Sequence, residues 1–488
     1  MNRLSSSLNI LYISAEADPL VKIGGLGDVA GTLPAAINRI ASKQNLNLEV
    51  RVAIPYHGVI REKGFPISSI GSYLLKSEKG LEEVSVFQYE SNGTIYYLLD
   101  GKPIQVSPVP YSDDNRANAA KYAFFSLAAL HLPSFLNWPI NILHANDWHT
   151  ALAVFAQKKM SDHTDLDVKT ILSIHNLPFM GNGIEEIEME YGISEYHHPY
   201  LPGWARKLPL PMGLAAADLI IPVSPGYSKE IQSSEYGCGL ENLISHRNSH
   251  LVGILNGIDE DVWNPGTDNN IPFKYDLNSM ELKEKNKIAL QEKLILKTDP
   301  KIPLLATISR LDYQKGIDLI IDGLYKLSMQ DKWQCIFLGT GDPYLEMRLR
   351  SLQNDRPDQV RCIFDFNQEL AHLIYAGTDI FLMPSRYEPC GISQMISQRY
   401  GTIPVARATG GLMDTIVDTT DQNPGTGFLF EEINATVFAS RMMRAISNFH
   451  DKQIWNTIIK NAMSQDFSWD ISAQKYIHEY QHLGLESK

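Results

Sequence analysis

Short, continuously apolar runs recur along this chain between stretches with helical periodicity. In the first half these runs are LNILYIS, EVRVAIP, TIYYLL, INILHA, KTILSI and DLIIPVS, and in the second half they are LVGIL, PLLATIS, QCIFLG, QVRCIF, DIFLMP and TIPVAR. Continuous apolarity is typical of strands that are buried on both faces, as in parallel sheets. Helical periodicity is clearest in ANAAKYAFFSLAALHLP and IDLIIDGLYKLSMQ. The alternation predicts an α/β fold with doubly wound parallel sheets.

The chain is too long for one core. Its 488 residues exceed the roughly 250–300 at which a single core usually divides, so we expect two domains. A stretch dense in Gly, Asn, Asp and Pro, NGIDEDVWNPGTDNNIPFKYD at residues 256–276, is the predicted linker. Parallel sheets bind ligands beyond the carboxyl ends of their strands, which makes the cleft between the domains the expected site.

Charge and composition exclude several classes of partner. The chain has 43 Lys and Arg against 56 Asp and Glu, a net charge of −13, which argues against a nucleic-acid partner. No apolar run approaches the roughly 18–20 residues that cross a bilayer, so we expect no membrane association. The opening residues resemble neither a signal peptide nor a presequence. Four scattered cysteines without CxxC spacing predict reduced thiols and a cytoplasmic location, or the plastid stroma if a transit segment has been removed.

A glycine-rich segment, KIGGLGDVA at residues 22–30, follows the first predicted strand. Gly25, Gly27 and Ala30 match the GxGxxA pattern of dinucleotide-binding folds. Two features oppose that interpretation: AEADPLVKI separates the strand from the loop, and the next strand ends in AIPYHG without a carboxylate for a ribose. Two alternatives stay open, a phosphate-binding loop with a cation at a helix start and a turn that needs glycine for positive φ.

Two segments of the second half carry charge at the ends of predicted strands. Arg310 and Lys315 lie in SRLDYQKG after PLLATI, where two cations suit a diphosphate; the alternative is a solvated basic loop. Glu388 lies in PSRYEPCGIS after DIFLMP, where a starting helix leaves N–H groups free for an oxyanion. The alternatives there are helix capping by Glu388 and an inert buried thiol at Cys390.

Histidines also follow two strands of the first half, in Asp147-Trp148-His149 and in His175-Asn176. A metal site is not indicated, because HExxH and compact His/Asp clusters are absent from the sequence. Such residues are either satisfied structural groups or polar partners of a sugar hydroxyl.

Taken together, these segments resemble the ADP-glucose-using glycogen and starch synthases, a family of retaining glycosyltransferases with the GT-B fold. The ordered motifs that carry the resemblance are KIGGLGDVAGTLP, HANDWHTAL, HNLPFMG, VSPGYSKEI, YGCGLE, LNGIDEDVWNP, ISRLDYQKGIDL, LGTGD, HLIYAGTDIFLMPSRYEPCGISQM, ATGGLMDT and GTGF. The resemblance implies two Rossmann-like, doubly wound parallel-sheet domains that face an interdomain cleft. We expect an acceptor-side domain over residues 1–258 and a donor-side domain over residues 259–488, whose last helix returns to the first domain.

The resemblance implies retaining transfer of glucose from ADP-glucose to the non-reducing end of an α-1,4-glucan such as glycogen or a maltooligosaccharide. It implies no cofactor and no metal requirement, because Arg310 and Lys315 would neutralise the diphosphate. Two alternatives stay open. One is a related transferase with another donor, such as UDP-glucose, or another acceptor, and the other is a glucan-binding protein without turnover.

Residue roles also follow from the resemblance. The expected catalytic residues are His175, Glu388, Arg310, Lys315 and Asp147. The expected donor contacts are Lys22, Gly24, Gly25, Arg310, Lys315, Phe366, Cys390, Gly391, Ile392 and Ser393, with Phe366 stacking on the base. The expected sugar or acceptor contacts are Glu16, Asp28, Asn176 and Asn256. The chain departs from the family pattern at Ile23, where the glycine loop usually has Thr, and at Phe179-Met180 in HNLPFMG.

Overall fold

A computed structural model of the chain describes residues 7–78, 80–161, 167–184, 189–328 and 332–486. The chain divides into two compact units. The first unit ends at Gly257 and includes the chain again from Trp469, and the second unit spans Ile258–Ser468. Within the described ranges, no helix combines the length and the apolarity needed to cross a membrane.

The first unit is built on an eight-stranded sheet in the order β3-β4-β5-β2-β1-β6-β7-β8. Its strands are β1 Leu8–Ile13, β2 Leu48–Pro55, β3 Ser68–Ser77, β4 Gly80–Ser91, β5 Thr94–Asp100, β6 Ile142–Asn146, β7 Lys169–Ile174 and β8 Leu219–Pro222. Its helices up to Gly257 are α1 Gly25–Lys43, α2 Gly58–Arg61, α3 Lys102–Val106, α4 Asn115–Phe135, α5 Asp147–Ser161, α6 Pro209–Ala216, α7 Pro225–Glu230 and α8 Glu241–His246. From β5 to β8 all neighbours are parallel, which confirms the predicted α/β class.

The second unit has an all-parallel, six-stranded sheet in the order β11-β10-β9-β12-β13-β14. Its strands are β9 Leu304–Ile308, β10 Gln334–Leu338, β11 Val360–Ile363, β12 Ile380–Met383, β13 Ile403–Arg407 and β14 Phe428–Phe430. Its helices are α9 Glu281–Lys293, α10 Ile317–Lys326, α11 Pro343–Asp355, α12 Gln368–Gly377, α13 Ser393–Arg399, α14 Gly411–Thr415, α15 Ala435–His450 and α16 Lys452–Met463.

The last helix, α17 Trp469–Glu486, belongs to the first unit. Its apolar face carries Tyr476 and Tyr480 into the core formed by β1, β2 and α1. The Tyr480 hydroxyl lies 2.7 Å from Nδ1 of the buried His144 on β6, and Arg39 of α1 pairs with Asp470. The first unit is therefore assembled from both ends of the chain.

Two expectations about elements were wrong. The antiparallel strands β3 and β4 were missed, because their exposed positions interrupt the apolar pattern on which the prediction relied. LVGIL at residues 251–255 forms only an isolated bridge from Leu251 to Ile220. The boundary between the two units, after Gly257, falls within the predicted linker at 256–276. From residue 258 onward this stretch is packed into the second unit, where Trp263 stacks on His372 with ring centroids 4.1 Å apart and Asp268 accepts a hydrogen bond from the Tyr400 hydroxyl at 2.6 Å.

Chain order reverses once within each parallel set, between β1 and β6 in the first unit and between β9 and β12 in the second. At such a reversal the loops that follow the two strands diverge to opposite faces and leave a crevice at the sheet edge. In the first unit these loops carry the glycine-rich segment and Asp147, and in the second they carry Arg310 with Lys315 and Glu388. Topology thus places the predicted residues at the two positions where parallel sheets bind ligands.

Candidate active site

The glycine loop of the first unit is shaped by a buried carboxylate. Glu16 accepts hydrogen bonds from the backbone N–H groups of Ile23 and Gly24 and, at 3.0 Å, from the Tyr111 hydroxyl. Burial raises the pKa of Glu16, and the two backbone bonds and the tyrosine oppose that rise. A Cβ on Gly27 would lie 3.2 Å from Glu16 Oε2, so this glycine leaves room for the carboxylate. Glu16, predicted as a sugar contact, is engaged in holding the loop.

Lys22 and Asp28, both predicted as substrate contacts, are brought together at the start of α1. Lys22 Nζ lies 2.5 Å from Asp28 Oδ1, and the two side chains are 40% and 35% exposed. An ion pair with that much exposure stabilises a fold little, because water screens it. Lys22 can therefore exchange this partner for an anionic ligand at small cost. Gly24 precedes α1 and Gly25 is its first residue, so their N–H groups lie at the positive end of the helix.

Asp147 occupies the sharp turn between β6 and α5. Its φ of 55° is uncommon for a residue other than glycine. Oδ1 accepts the N–H of His175 at 2.7 Å and the N–H of Asn176 at 3.3 Å, which joins the ends of β6 and β7. Burial, with a contribution from the charge of Glu16, raises the pKa of Asp147 to about 7 against the lowering effect of the two N–H groups. The sequence-predicted pair Asp147 and His175 is thus in direct contact.

The ring of His175 has a defined tautomer. Its Nε2 lies 3.0 Å from Oδ1 of Asn146, whose own Nδ2 donates to the carbonyl of Ile13 at 3.0 Å. Because a carbonyl only accepts, the amide orientation is fixed and His175 Nε2 must carry the proton. Burial lowers the pKa of His175 to about 3, so the ring is neutral with a lone pair on Nδ1. Asn146 was not among the predicted residues, although it lies in the quoted motif HANDWHTAL.

Asn256 completes this edge of the first unit. The chain from Leu251 runs parallel beside β8, with Ile254 N–H donating to Pro222 O at 3.0 Å, so Asn256 lies beyond the carboxyl end of that strand. Asn256 is buried, and its Oδ1 lacks a hydrogen-bond partner among the described residues. A buried amide oxygen without a partner costs stability, which leaves it ready to accept from a ligand hydroxyl.

The second unit contributes an ion pair between two predicted catalytic residues. Lys315 Nζ lies 2.9 Å and 2.7 Å from the two carboxylate oxygens of Glu388, and the side chains are only 21% and 7% exposed. Ser385 also donates to Glu388, at 2.9 Å. Gly316, with φ of 71°, makes this contact possible, because a Cβ there would lie 2.2 Å from the carbonyl oxygen of Pro384. The loops after β9 and β12 therefore meet at a glycine.

Arg310 lies beside this pair but remains open to solvent. Its side chain is 67% exposed and its Nη1 lies 3.3 Å from Oδ2 of Asp312. Oδ1 of the same Asp312 accepts the backbone N–H of Lys315 at 2.8 Å. Asp312 thus organises both cations of the loop, a role that sequence reasoning missed although the residue lies between them.

The loop that follows Glu388 is closely packed. Gly391 has φ of 73°, and Gln394 Nε2 donates to the carbonyls of Cys390 and Gly391 at 3.1 Å each. Cys390 is buried, and a Cβ on Gly411 would lie 2.3 Å from its carbonyl oxygen. Helix α13 begins at Ser393, so the N–H groups of Ile392 and Ser393 lie at a helix start. The helix start that the sequence predicts in this segment is therefore present, at Ser393.

Phe366 lies on the loop between β11 and α12 with 86% of its surface exposed. A phenyl ring so exposed has a free face, which stacking on a planar ligand would cover. Across the described ranges, no three His, Cys, Asp or Glu side chains come together as potential metal ligands.

Comparison with known proteins identifies the family. Residues 9–246 match the model of the starch synthase catalytic domain, and residues 289–462 match that of glycosyl transferases group 1. The chain is 36% identical over 487 residues to a glycogen synthase of Bacillus anthracis, covering 98% of this chain and 100% of that one. The chain belongs to the glycogen and starch synthase family. It is also 35% identical over 495 residues to a glycogen synthase of Lactococcus lactis, with 98% and 100% coverage.

Solved structures agree with membership in the glycogen and starch synthase family. The catalytic domain of starch synthase IV from Arabidopsis thaliana, bound to ADP and acarbose, has a TM-score of 0.85 at 27% identity and covers 98% of this chain and 100% of that chain. A sucrose-phosphate synthase from Thermosynechococcus elongatus, at 16% identity, 98% and 99% coverage and a TM-score of 0.61, shares the fold. The predicted family, GT-B fold and glycosyltransferase class are confirmed.

Proposed function

We propose that this chain transfers glucose from ADP-glucose to the non-reducing 4-hydroxyl of an α-1,4-glucan, with retention of the anomeric configuration. The observation that carries the proposal is the contact of Lys315 with Glu388 beside Arg310, beyond β9 and β12 of the second unit. Family membership supports a nucleotide-sugar donor and a glucan acceptor. The starch synthase that matches the whole chain was solved with ADP, which supports the adenine nucleotide.

The leaving diphosphate is the first task of such a site. The bond from the anomeric carbon to the β-phosphate oxygen breaks, and its electron pair stays on that oxygen. Lys315 has three N–H donors, of which Glu388 accepts two, so one remains for a phosphate oxygen. The exposed guanidinium of Arg310 supplies a second positive charge. Fixed cations stabilise negative charge that develops in the transition state, and this is their proposed role.

The sugar develops positive charge as the bond breaks. A protonated imidazole near the anomeric carbon would oppose that charge, whereas the lowered pKa of His175 keeps its ring neutral. In the proposed mechanism the acceptor 4-hydroxyl forms the new C–O bond on the face that the diphosphate leaves. The hydroxyl proton passes to the departing phosphate oxygen, and ADP is released. His175, held by Asn146 and Asp147, then presents its backbone carbonyl and neutral ring to the sugar.

The other predicted residues keep their proposed roles. The glycine loop at Lys22 and the backbone of Gly391, Ile392 and Ser393 would contact the donor, and Phe366 would stack on the base. Asn176 and Asn256 would bind sugar or acceptor hydroxyl groups, for which the unpartnered Oδ1 of Asn256 is suited. Glu16 would act through the glycine loop.

We further propose that transfer needs no metal ion, because Arg310 and Lys315 supply the positive charge. Excess EDTA should therefore leave the rate unchanged, and restoration of a lost rate by Mg²⁺ would contradict this. We also propose a cytoplasmic location, supported by four cysteines that form no disulfide bond, and cell fractionation would test it.

The decisive experiment compares donors. Purified protein is incubated with glycogen and either ADP-glucose or UDP-glucose labelled in the sugar, and label in polymer is counted together with the nucleotide released. We expect incorporation chiefly from ADP-glucose, in a form that an exo-acting α-1,4-specific glucan hydrolase removes. A preference for UDP-glucose would overturn the donor assignment. Glucan binding without release of nucleotide from either donor would overturn the transferase itself.

A further inference from the structure

A second cavity of about 550 Å³ lies in the first unit, away from the candidate site. Lys169, the first residue of β7, lines this cavity together with Asp218, which immediately precedes β8. The cavity therefore lies at the amino ends of these strands, whereas His175 follows the carboxyl end of β7. We call it the amino-edge cavity.

Basic side chains dominate the amino-edge cavity although the whole chain carries a net charge of −13. Six of its lining residues are basic: Lys158, Lys169, His198, His246, Arg247 and His250. Asp218 is the acidic lining residue, and its Oδ2 is engaged by the N–H and hydroxyl of Thr170 at 2.7 Å and 2.9 Å. Asp167 lies 3.0 Å from Lys169 and offsets that charge. Among the described residues, Lys158 and Arg247 have no ion-pair partner, although the charge of Asp218 acts on Arg247.

Two of the basic side chains are held in place by contacts with their neighbours. Arg247 donates through Nη1 to the carbonyl of Ala215 at 3.1 Å and through Nη2 to that of Ala217, at the end of α6. Its Nε is buried and lacks a hydrogen-bond partner among the described residues. The His246 ring stacks on Tyr200, with centroids 3.8 Å apart and planes at 19°. After these two bonds each Nη of Arg247 keeps one further N–H, and together with the oriented imidazole these donors suit an anion.

The positive charge within the cavity also favours an anionic ligand. Burial and then the charges of Arg247 and His246 lower the pKa of His198. A bound anion would offset these charges. The cavity volume lies within the usual range of about 300–1,000 Å³ for small-molecule sites and exceeds what a lone phosphate would fill. Tyr196, Ser249 and Asp218 add groups that can hydrogen-bond to hydroxyls.

We propose that the amino-edge cavity binds a sugar monophosphate, with the phosphate on Arg247, His246 and Lys158 and the sugar hydroxyls on the polar remainder of the lining. This site is separate from the proposed transfer reaction and does not depend on it.

Titration of the full chain with fructose 6-phosphate and glucose 1-phosphate tests the proposal. Excess ADP is kept present so that the proposed donor site does not contribute. Calorimetry gives the affinity, and protein with ¹³C-labelled histidine locates binding through the ring signals of His198 and His246, assigned by His198→Gln and His246→Gln. Glucose and inorganic phosphate serve as the two half-ligands.

The test variant combines Lys158→Gln with His246→Gln, and its control is Lys159→Gln. Lys159 is the next residue on α5, but its Nζ contacts Ser194 at 2.5 Å and it does not line the cavity. We expect saturable binding of at least one ester that shifts both histidine signals, falls at least tenfold in the double variant and is unchanged in Lys159→Gln.

Absence of saturable binding by either ester would overturn the proposal, as would equal affinity of the double variant. Inorganic phosphate that binds as tightly as the esters would overturn the assignment of a sugar. A double variant that fails to fold would be replaced by Lys158→Gln alone, for which we expect at least threefold weaker binding.

Discussion

At the residue scale, the predicted catalytic carboxylates of the two units differ in the groups that face them. Glu388 faces the full positive charge of Lys315, whereas Asp147 faces only two backbone N–H groups in a buried position. Partial charges of N–H groups offset burial less well than an ammonium group does, which is why the pKa of Asp147 is raised to about 7. The charge of Asp147 therefore changes near neutral pH.

The substitution Asp147→Asn should change how stability depends on pH. The folded pKa of about 7 lies above the ordinary value of 3.8, so between them the folded state keeps a proton that the unfolded state has lost. The contribution of this group to the free energy of unfolding is fully present below about pH 4 and is lost as the pH rises through 7. Relative to the variant, the wild-type free energy of unfolding should fall by up to about 1.4 kcal/mol per pH unit over that range.

Urea unfolding of both proteins at pH 5 and pH 7.5 measures this difference. The contributions of the histidines to the pH dependence cancel, because both proteins contain the same histidines. Asparagine tolerates positive φ and its Oδ1 can accept the same N–H groups, so the backbone is retained. A difference that does not vary with pH would show that Asp147 titrates normally.

Removal of Lys315 should separate catalysis from folding. Lys315→Met is expected to lower kcat about a hundredfold through loss of a charge-assisted contact to the leaving group. It should also lower the free energy of unfolding by about 1–3 kcal/mol, because Glu388 loses its charged partner. The double variant Lys315→Met with Glu388→Gln removes the unpaired charge, so stability should recover while kcat stays low. A folded Lys315→Met protein with unchanged kcat would remove Lys315 from the mechanism.

The sequence predicted some of the candidate residues but not the partners that they contact. Arg310, Lys315, Glu388 and His175 were candidates because each lies a few residues after an apolar strand, and the family resemblance supplied their expected roles. The contact of Tyr111 with Glu16 joins residues 95 positions apart, and no local pattern connects them. Roles could therefore be predicted for single residues. The partners that set the charge and orientation of those residues could not, because they depend on tertiary packing.

At the scale of elements, the loops beyond β9 and β12 are the parts of the second unit that meet at the candidate site. The buried strands β9 and β12 could be predicted from their continuous apolarity, and the positions of the loops could then be predicted from the ends of the strands. Strands β3 and β4 lacked this signal because many of their residues face solvent, and β3 forms the edge of its sheet. Pattern reasoning thus found the central strands that carry the site and missed the peripheral hairpin.

Gly316→Ala should push these two loops apart. The new Cβ would lie 2.2 Å from the Pro384 carbonyl oxygen, in addition to the strain of φ at 71°. The matched control is Gly64→Ala, which has φ of 68° and no heavy atom within 4 Å. Gly64→Ala should cost about 1–2 kcal/mol from backbone strain alone. Gly316→Ala should cost clearly more and also lower kcat, as thermal unfolding and rate measurements would show. Equal losses in both variants would mean that the contact is unimportant.

At the scale of the whole molecule, the first unit depends on the far end of the chain. Tyr480 on α17 forms a hydrogen bond with His144, whose other ring nitrogen lies 2.7 Å from the Ser173 hydroxyl. Both rings are buried, so the bond is sheltered from water. The core of the first unit is thus completed by residues that follow the entire second unit.

Tyr480→Phe should therefore destabilise the first unit. Loss of the hydroxyl leaves Nδ1 of His144 buried without a partner, at an expected cost of about 1–3 kcal/mol in the free energy of unfolding. Lys475→Ala, at an exposed position of the same helix, should change it by less than about 0.5 kcal/mol. Denaturant unfolding followed by amide exchange on β6 would measure both. A Tyr480→Phe protein as stable as Lys475→Ala would contradict the role of the bond.

The return of α17 has a consequence for biosynthesis. When Gly257 leaves the ribosome, the apolar face that Tyr476 and Tyr480 will cover has no partner yet. The remaining 488 − 257 = 231 residues must be translated first, which at about 5–20 residues per second takes roughly 10–50 seconds. Through most of that interval the ribosome is translating the second unit, which is complete only at Ser468, and the nascent first unit keeps its apolar groove uncovered. A ribosome that stalls before residue 469 would leave a first unit without α17, which holdase chaperones must keep from aggregating.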